Sequence, residues 1–461
     1  MRIAVVGAGP AGFYATQSLL KRFPDCTVDL IERLPVPFGL VRYGVAPDHP
    51  ATKKVINTFS AFVNSNRSRI NFYGNVAVGD DQPLKPSHLK DFYNLTIYAT
   101  GAAHPRTLPG VHIPSRFVYG AQDFAFWANG HPDIHSTSAQ GKLSERIERD
   151  VKGTENVAVI GVGNVAIDIA RLLLRPVDDL RSTDISPSVL ELLSESPIKS
   201  VSLFGRKSPS GAAWTTAALR EVVTKIPGII TTCDHGLLRK DMEMSQLSRS
   251  KKSMLKVLSE KTVDLNSAEL HHHEHQGSRI LRLEFLKTPI AFSENVESVN
   301  LRLQCSQPAK DMVGEHLNPA TKSCEVRDTI ESVCGVVFLS LGYVGGQGSG
   351  YRVGWANGKG AGIIGDNKWD AETVISSLSI PDTMNAVGIS HWLSSTGHRF
   401  VSWEGWECID AVEKKRGSEY GRKDERVKLE SVEEMLQVAE RQAQNMNGFN
   451  QQFRTHCESR S

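Results

Sequence analysis

Two short glycine-rich runs carry the spacing needed to hold a dinucleotide diphosphate: Gly7-Ala8-Gly9-Pro10-Ala11-Gly12 and Gly161-Val162-Gly163-Asn164-Val165-Ala166. In each, the first glycine permits a tight turn after a strand, and the second lets backbone amides approach a diphosphate. The third small residue, Gly12 or Ala166, lets the next helix pack closely on that strand. The diphosphate then lies at the positive end of a helix, where the first-turn amides lack partners within the helix. A glycine pattern alone is weak evidence. Here Ile3, Val5 and Val6 form an apolar strand ahead of the first run and residues 13–22 an amphipathic helix behind it; residues 156–160 and 165–174 repeat the pattern around the second.

The residues that close the following strand decide which nucleotide each site takes. Val28-Asp29-Leu30-Ile31 ends at Glu32, 20 residues beyond Gly12. A carboxylate there accepts hydrogen bonds from ribose hydroxyls and selects an unphosphorylated adenosine ribose, as in FAD or NAD. Val201-Ser202-Leu203-Phe204 ends instead at Gly205-Arg206-Lys207. Cations in that place pair with a ribose 2′-phosphate, which predicts NADPH. Two sites of opposite preference predict hydride transfer from a nicotinamide to a flavin, a step that needs stacking and exclusion of water but no general base. The 7 cysteines (Cys26, Cys233, Cys305, Cys324, Cys334, Cys408, Cys457) include no Cys-x-x-Cys or Cys-x4-Cys spacing. Neither a redox-active disulfide nor a cysteine-held iron–sulfur cluster is expected, and the odd count suits a reducing compartment. Electrons must therefore leave to a separate molecule.

These sites need elements to hold them. At 461 residues the chain exceeds one hydrophobic core. The expected fold is α/β, with two Rossmann-like dinucleotide-binding domains. Ile97-Tyr98-Ala99-Thr100-Gly101-Ala102 and the run from Cys334 to Gly342 are buried-strand exits on either side of the second glycine unit. They imply that the NADP domain is inserted into the FAD domain, with residues 1–104 and 335–461 forming the first domain and residues 105–334 the second. Apolar residues at 40%, charged residues at 23% and a net charge of +2 describe an ordinary globular chain without a global pull toward nucleic acid or anionic lipid. No apolar run approaches the ~18 residues that span a bilayer. Because the first motif opens at Gly7, no cleavable leader is expected ahead of the fold. The stretch from Ser245 to Gly277, with His271, His272, His273 and His275, is expected to be a solvated helix and surface loop, not a metal site. The tail from Ser418 is charged, helical in period around residues 432–444, and expected to fray beyond.

One further run is specific. Residues 34–50, Leu34-Pro35-Val36-Pro37-Phe38-Gly39-Leu40-Val41-Arg42-Tyr43-Gly44-Val45-Ala46-Pro47-Asp48-His49-Pro50, closely resemble the adrenodoxin reductase family, the mitochondrial and bacterial NADPH–ferredoxin reductases of the glutathione-reductase-like fold. Phe72-Tyr73-Gly74-Asn75-Val76, residues 163–171, Leu219-Arg220-Glu221, Gly354-Trp355 with Gly362-Ile363-Ile364-Gly365, and residues 401–411 agree with it. The resemblance implies FAD contacts at Ala11, Glu32, Leu40, Val76, Trp355, Gly362, Ile363 and Ile364. It implies NADP contacts at Val162, Gly163, Asn164, Val165, Arg206 and Lys207. His49 and Asp168 match a polar pair that helps positioning and proton movement. The implied acceptor is an acidic [2Fe–2S] ferredoxin or adrenodoxin-like protein, which would dock on Arg220, Arg249, Lys251 and Lys252. By the same likeness the compartment would be the mitochondrial matrix, with membrane contact limited to peripheral association at the inner membrane.

The chain departs from that pattern in three places. Ala218 stands where the family usually has an acid, Gly358-Lys359-Gly360 replaces Arg-Gly-Pro, and residues 344–353 form a shorter bridge between the Gly-Tyr and Gly-Trp pairs. The shortening keeps two alternatives open: an NAD(P)H oxidase or quinone reductase on the same scaffold, and a nucleotide-binding protein that has lost its flavin.

Overall fold

A computed structural model describes the chain except residues 103, 136–141, 307–327, 346–349, 359–363, 380–385, 424 and 442–461. Short, almost wholly apolar strands dominate it, as buried parallel sheets require. The first sheet contains β1 (Arg2–Val6), β2 (Thr27–Ile31), β3 (Ile70–Tyr73) and β4 (Leu95–Tyr98). The chain then runs through β5 (His104–Pro105) into a second sheet of β6 (Val118–Gly120), β7 (Asn156–Ile160), β8 (Ser200–Gly205), β9 (Ile229–Cys233), β10 (Val263–Asp264) and β11 (Arg279–Phe285). An antiparallel three-stranded sheet follows, β12 (Lys287–Glu294), β13 (Val299–Cys305) and β14 (Asp328–Cys334). β15 (Val336–Leu339) returns to the second sheet, and β16 (Tyr343–Val344) pairs antiparallel with β5. Finally β17 (Tyr351–Arg352) completes the first sheet, whose order is β17-β4-β1-β2-β3. The second sheet has the order β10-β9-β11-β8-β7-β15-β6.

The second unit is therefore inserted into the first, and the two connecting strands lie side by side. β15 still pairs with both β7 and β6. The return crossing thus follows Leu339, a few residues past the expected position at 335, because the strand expected to leave the second sheet is held in it between β7 and β6.

One other expectation needs correction. The histidine-rich stretch is not a loop: residues Ala268–His275 form a helix capped by the Ser267 side chain and held by the buried Leu270. The segment after Ser418 is helical over residues 432–441, near the expected 432–444, and Arg422, Lys428, Leu429 and Met435 within it are buried. Its last 20 residues lie outside the described part. Among the described residues no helix is long and apolar enough to cross a membrane.

Candidate functional site

Both glycine turns reproduce one close approach. Gly7 has φ +107° and Gly161 φ +130°, conformations that side-chain-bearing residues rarely adopt. A Cβ on Gly7 would lie 2.5 Å from the Ala99 carbonyl oxygen, and one on Gly161 would lie 2.2 Å from that of Ser340. These two carbonyls belong to the strand exits on either side of the second unit. Gly9 and Gly163, by contrast, face open space at the Cβ position. Each precedes a helix without a side-chain cap: α1 (Pro10–Arg22), which has proline in its first turn, and α2 (Asn164–Leu174). Room beside the turn and unpartnered first-turn amides fit a diphosphate at both places.

Around the first turn the expected contacts come together. Phe38 N–H donates to the Ala8 carbonyl at 2.7 Å, folding residues 34–40 over the turn and leaving Leu40 exposed at its edge. Phe13, Phe38 and Phe59 stack beneath, and Trp403 and Trp406 of α5 (Trp403–Glu419) meet Phe38 edge-on. Glu32 accepts Ala8 N–H at 2.8 Å and Leu34 N–H at 3.1 Å, and Val76 N–H donates to the Glu32 carbonyl at 2.8 Å. Burial raises the Glu32 pKa despite those amides. The Gly354-Trp355 turn sits against α1, where a Cβ on Gly354 would lie 2.5 Å from Ala11 Cβ. Trp355 stacks on Tyr343 with centroids 6.3 Å apart. The short bridge thus still returns β17 and this turn to the first site. Ile364 is half-buried beside the same core, while Gly362 and Ile363 lie outside the described residues.

At the second turn, Asn164 Oδ1 accepts Thr215 N–H at 2.8 Å, the Val162 carbonyl accepts Ala213 N–H at 2.8 Å, and Val165 is exposed. Arg206 and Lys207 are exposed just past the end of β8. Among the described residues neither has a carboxylate partner.

A polar network joins the two units. His49 follows the long motif of the first unit, and Asp168 lies on α2 of the second. The structure does not pair them directly. His49 Nε2 meets Glu221 Oε2 at 3.0 Å, with Glu221 on α3 (Thr216–Thr224). Arg175 reaches Glu221 at 3.6 Å and Asp48 at 3.3 Å. Arg171 grips Asp48 through Nε at 2.6 Å and Nη2 at 2.8 Å, and meets Asp168 at 2.8 Å. Burial alone would raise the Asp48 pKa, but the Arg171 hydrogen bond and charge hold it below the ordinary carboxylate value. Asp168 goes the other way. About 24% of its side chain meets solvent, yet it lies deep enough in the cleft that desolvation outweighs Arg171 and raises its pKa. Asp48, Arg171, Arg175 and the partnership of Glu221 with His49 were not foreseen from sequence. Asp48, Arg171 and Glu221 lie in runs that carry the family resemblance, without a role attached to them there, and Arg175 lies outside those runs. Asp48, His49 and Glu221 place ligand atoms within 4.8 Å of one another, but the arginines among them make an anionic metal pocket unfavourable.

Comparison with known proteins agrees with this architecture. The family model for pyridine nucleotide-disulphide oxidoreductases matches residues 1–194. The mitochondrial NADPH:adrenodoxin oxidoreductase of Arabidopsis thaliana is 34% identical, with 95% of each chain covered. NADPH-ferredoxin reductase FprA of Mycobacterium tuberculosis is 33% identical over 95% of this chain and 98% of that protein. The solved structure of M. tuberculosis FprA in complex with NADPH superposes with a TM-score of 0.79 at 30% identity, covering 95% of this chain and 99% of that one. Likeness of this degree over nearly the whole length shows that the chain belongs to the adrenodoxin reductase and NADPH–ferredoxin reductase family.

Proposed function

We propose that this protein is an NADPH-dependent FAD flavoprotein that passes electrons singly to a [2Fe–2S] ferredoxin or adrenodoxin-type protein. The observation that carries the reading is the contrast between its two adenosine pockets: the half-buried carboxylate of Glu32 at the first and the Arg206–Lys207 pair at the second. Bound FAD supplies the chemistry of accepting a hydride and releasing electrons one at a time. The chain supplies binding, orientation and proton placement. Residues 1–104 and those after Leu339 form the FAD domain, and residues 105–339 form the NADP domain. Gly7, Gly9, Ala11 and Gly12 receive the FAD diphosphate, Glu32 its ribose, and Leu40, Val76, Trp355 and Ile364 wall the flavin. Val162, Gly163, Asn164 and Val165 receive the NADPH diphosphate. His49, hydrogen-bonded to Glu221, and Asp168, beside Arg171, serve positioning and proton movement in the cleft. Arg220 on α3 and Arg249 and Lys252 on α4 (Arg249–Lys261) are exposed and face an acidic partner. Mitochondrial relatives favour the matrix as its compartment, which fractionation of cells expressing the full chain would decide.

The purified protein is expected to show flavin absorbance that bleaches with NADPH far more readily than with NADH. Cytochrome c reduction should then require added ferredoxin. A protein that takes up no flavin, or reduces quinones at full rate without ferredoxin, would overturn this reading. Glu221→Gln removes the acid facing His49. Loss of one charge-assisted bond, on the order of 1.4 kcal/mol, should slow flavin bleaching in a single turnover roughly tenfold. Nucleotide affinity should change little, because Glu221 touches neither glycine turn.

A further inference from the structure

Lys251 stood among the expected docking cations, but the structure separates it from Arg249 and Lys252. Those two are exposed, whereas Lys251 is half-buried and its ammonium donates to the Ala212 carbonyl. Ala212 belongs to the loop between β8 and α3, which is tied to the second glycine turn by the Ala213-to-Val162 hydrogen bond. The turn Pro209–Gly211 wraps the stem of Lys207: a Cβ on Gly211 would lie 2.6 Å from Lys207 Cβ and 2.9 Å from its Cδ. Buried Trp214 fixes the end of this loop, meeting Phe285 edge-on and pointing its indole N–H at Met254 of α4, 3.0 Å away. Packing therefore dictates where Lys251 sits.

Arg206 and Lys207 lie on this loop, Lys251 reaches across to its backbone from α4, and none of the three has a carboxylate partner among the described residues. Asp241, at the same wall, is already engaged by Ser210 N–H at 2.6 Å. Burial first, and then the Lys207 charge, lower the Lys251 pKa. Like charges held together in this way gain from an anion between them. A lysine on a flexible stem can turn from a backbone carbonyl to a phosphate while its base stays fixed.

We propose that Lys251 is a third cation of the pocket that takes the 2′-phosphate of NADPH, acting with Arg206 and Lys207 as a specificity-determining residue. The proposal rests on the NADPH reading above. Its test is calorimetric titration of the holoprotein with 2′,5′-ADP and with 5′-AMP, a readout that does not depend on turnover. Lys251→Met should weaken 2′,5′-ADP about tenfold and leave 5′-AMP unchanged, and Lys251→Arg should keep most of the affinity. The double variant Arg206→Ala/Lys207→Ala serves as reference. If it loses the preference for 2′,5′-ADP while Lys251→Met binds like the unaltered protein, Lys251 has no part in the pocket. Equal weakening of both ligands by Lys251→Met would assign it a structural role, and loss of ferredoxin reduction alone would return it to the docking face; either overturns the proposal. If the double variant also keeps the full preference, it is the NADPH reading that fails.

Discussion

Replacing Arg206 and Lys207 together with alanine is expected to raise KM for NADPH by roughly 100-fold and leave KM for NADH nearly unchanged. Each cation offers a charge-assisted hydrogen bond worth about 1.5–3 kcal/mol when well formed. Both side chains are exposed, so solvent screening places the pair near the lower end, about 3 kcal/mol in total. That corresponds to about two powers of ten. The ratio of kcat/KM for the two coenzymes is the quantity to measure. Salt gives a second check: KM for NADPH should climb with ionic strength in the unaltered protein and much less in the variant. An unchanged coenzyme ratio would sink the donor assignment. The family membership would survive it, since that rests on nearly the whole length of the chain.

The largest effect on stability is expected at Asp184. Lys53 of the first unit donates to both its carboxylate oxygens at 2.7 and 2.8 Å, and Lys428 of the C-terminal segment reaches it at 2.6 Å. All three are buried. Asn129 accepts from Lys53 at 2.6 Å, and Arg422 donates to the Ile185 carbonyl at 2.7 Å. Asp184→Asn leaves two ammonium groups in the interior without their anion, which should cost about 3–5 kcal/mol. A fall in the melting midpoint of several degrees is the expected reading. The same cluster sets a pH dependence. Burial pushes the Lys428 pKa down to about 7 even though Asp184 opposes it. An unfolded lysine keeps its proton to about pH 10.4, so between these values unfolding takes up a proton and stability rises with pH. Lys53 is lowered in the same direction. Asp184 is held well below the ordinary carboxylate value by the two lysines in spite of its burial, and its contribution is lost only in strong acid. Glu425, raised by burial and then by Asp184, acts with the opposite sign toward the acid end. Lys428→Met should therefore flatten the rise in melting midpoint between pH 7 and 9. A variant whose midpoint still climbs as steeply as the parent's would show that Lys428 does not titrate there.

The parts legible in sequence were those with local causes. The glycine turns, the strands around them, Glu32 and the Arg206–Lys207 pair follow from backbone geometry and from which charge closes a strand. The insertion was legible because two strand exits flank the second turn, and their carbonyls prove to be what Gly7 and Gly161 must approach. The couplings across the cleft were not. His49 and Glu221 are separated by 172 positions, and no periodicity links them. Nothing in the local sequence marks Asp184 or Lys428. Both are buried by partners from distant segments. Lys251 shows the same limit, because a charge run identifies cations but not which of them the packing turns inward.

The paired connectors β5 and β16 carry a mechanical consequence. Arg106 N–H donates to the Gly342 carbonyl at 3.0 Å beside the two-residue ladder, so outgoing and incoming chain form one ribbon. A body hung from a single peptide can swivel freely. One hung from a laced ribbon resists twisting, and the buried Lys53–Asp184–Lys428 cluster pins the second unit to the first at another place, so the halves keep a common orientation.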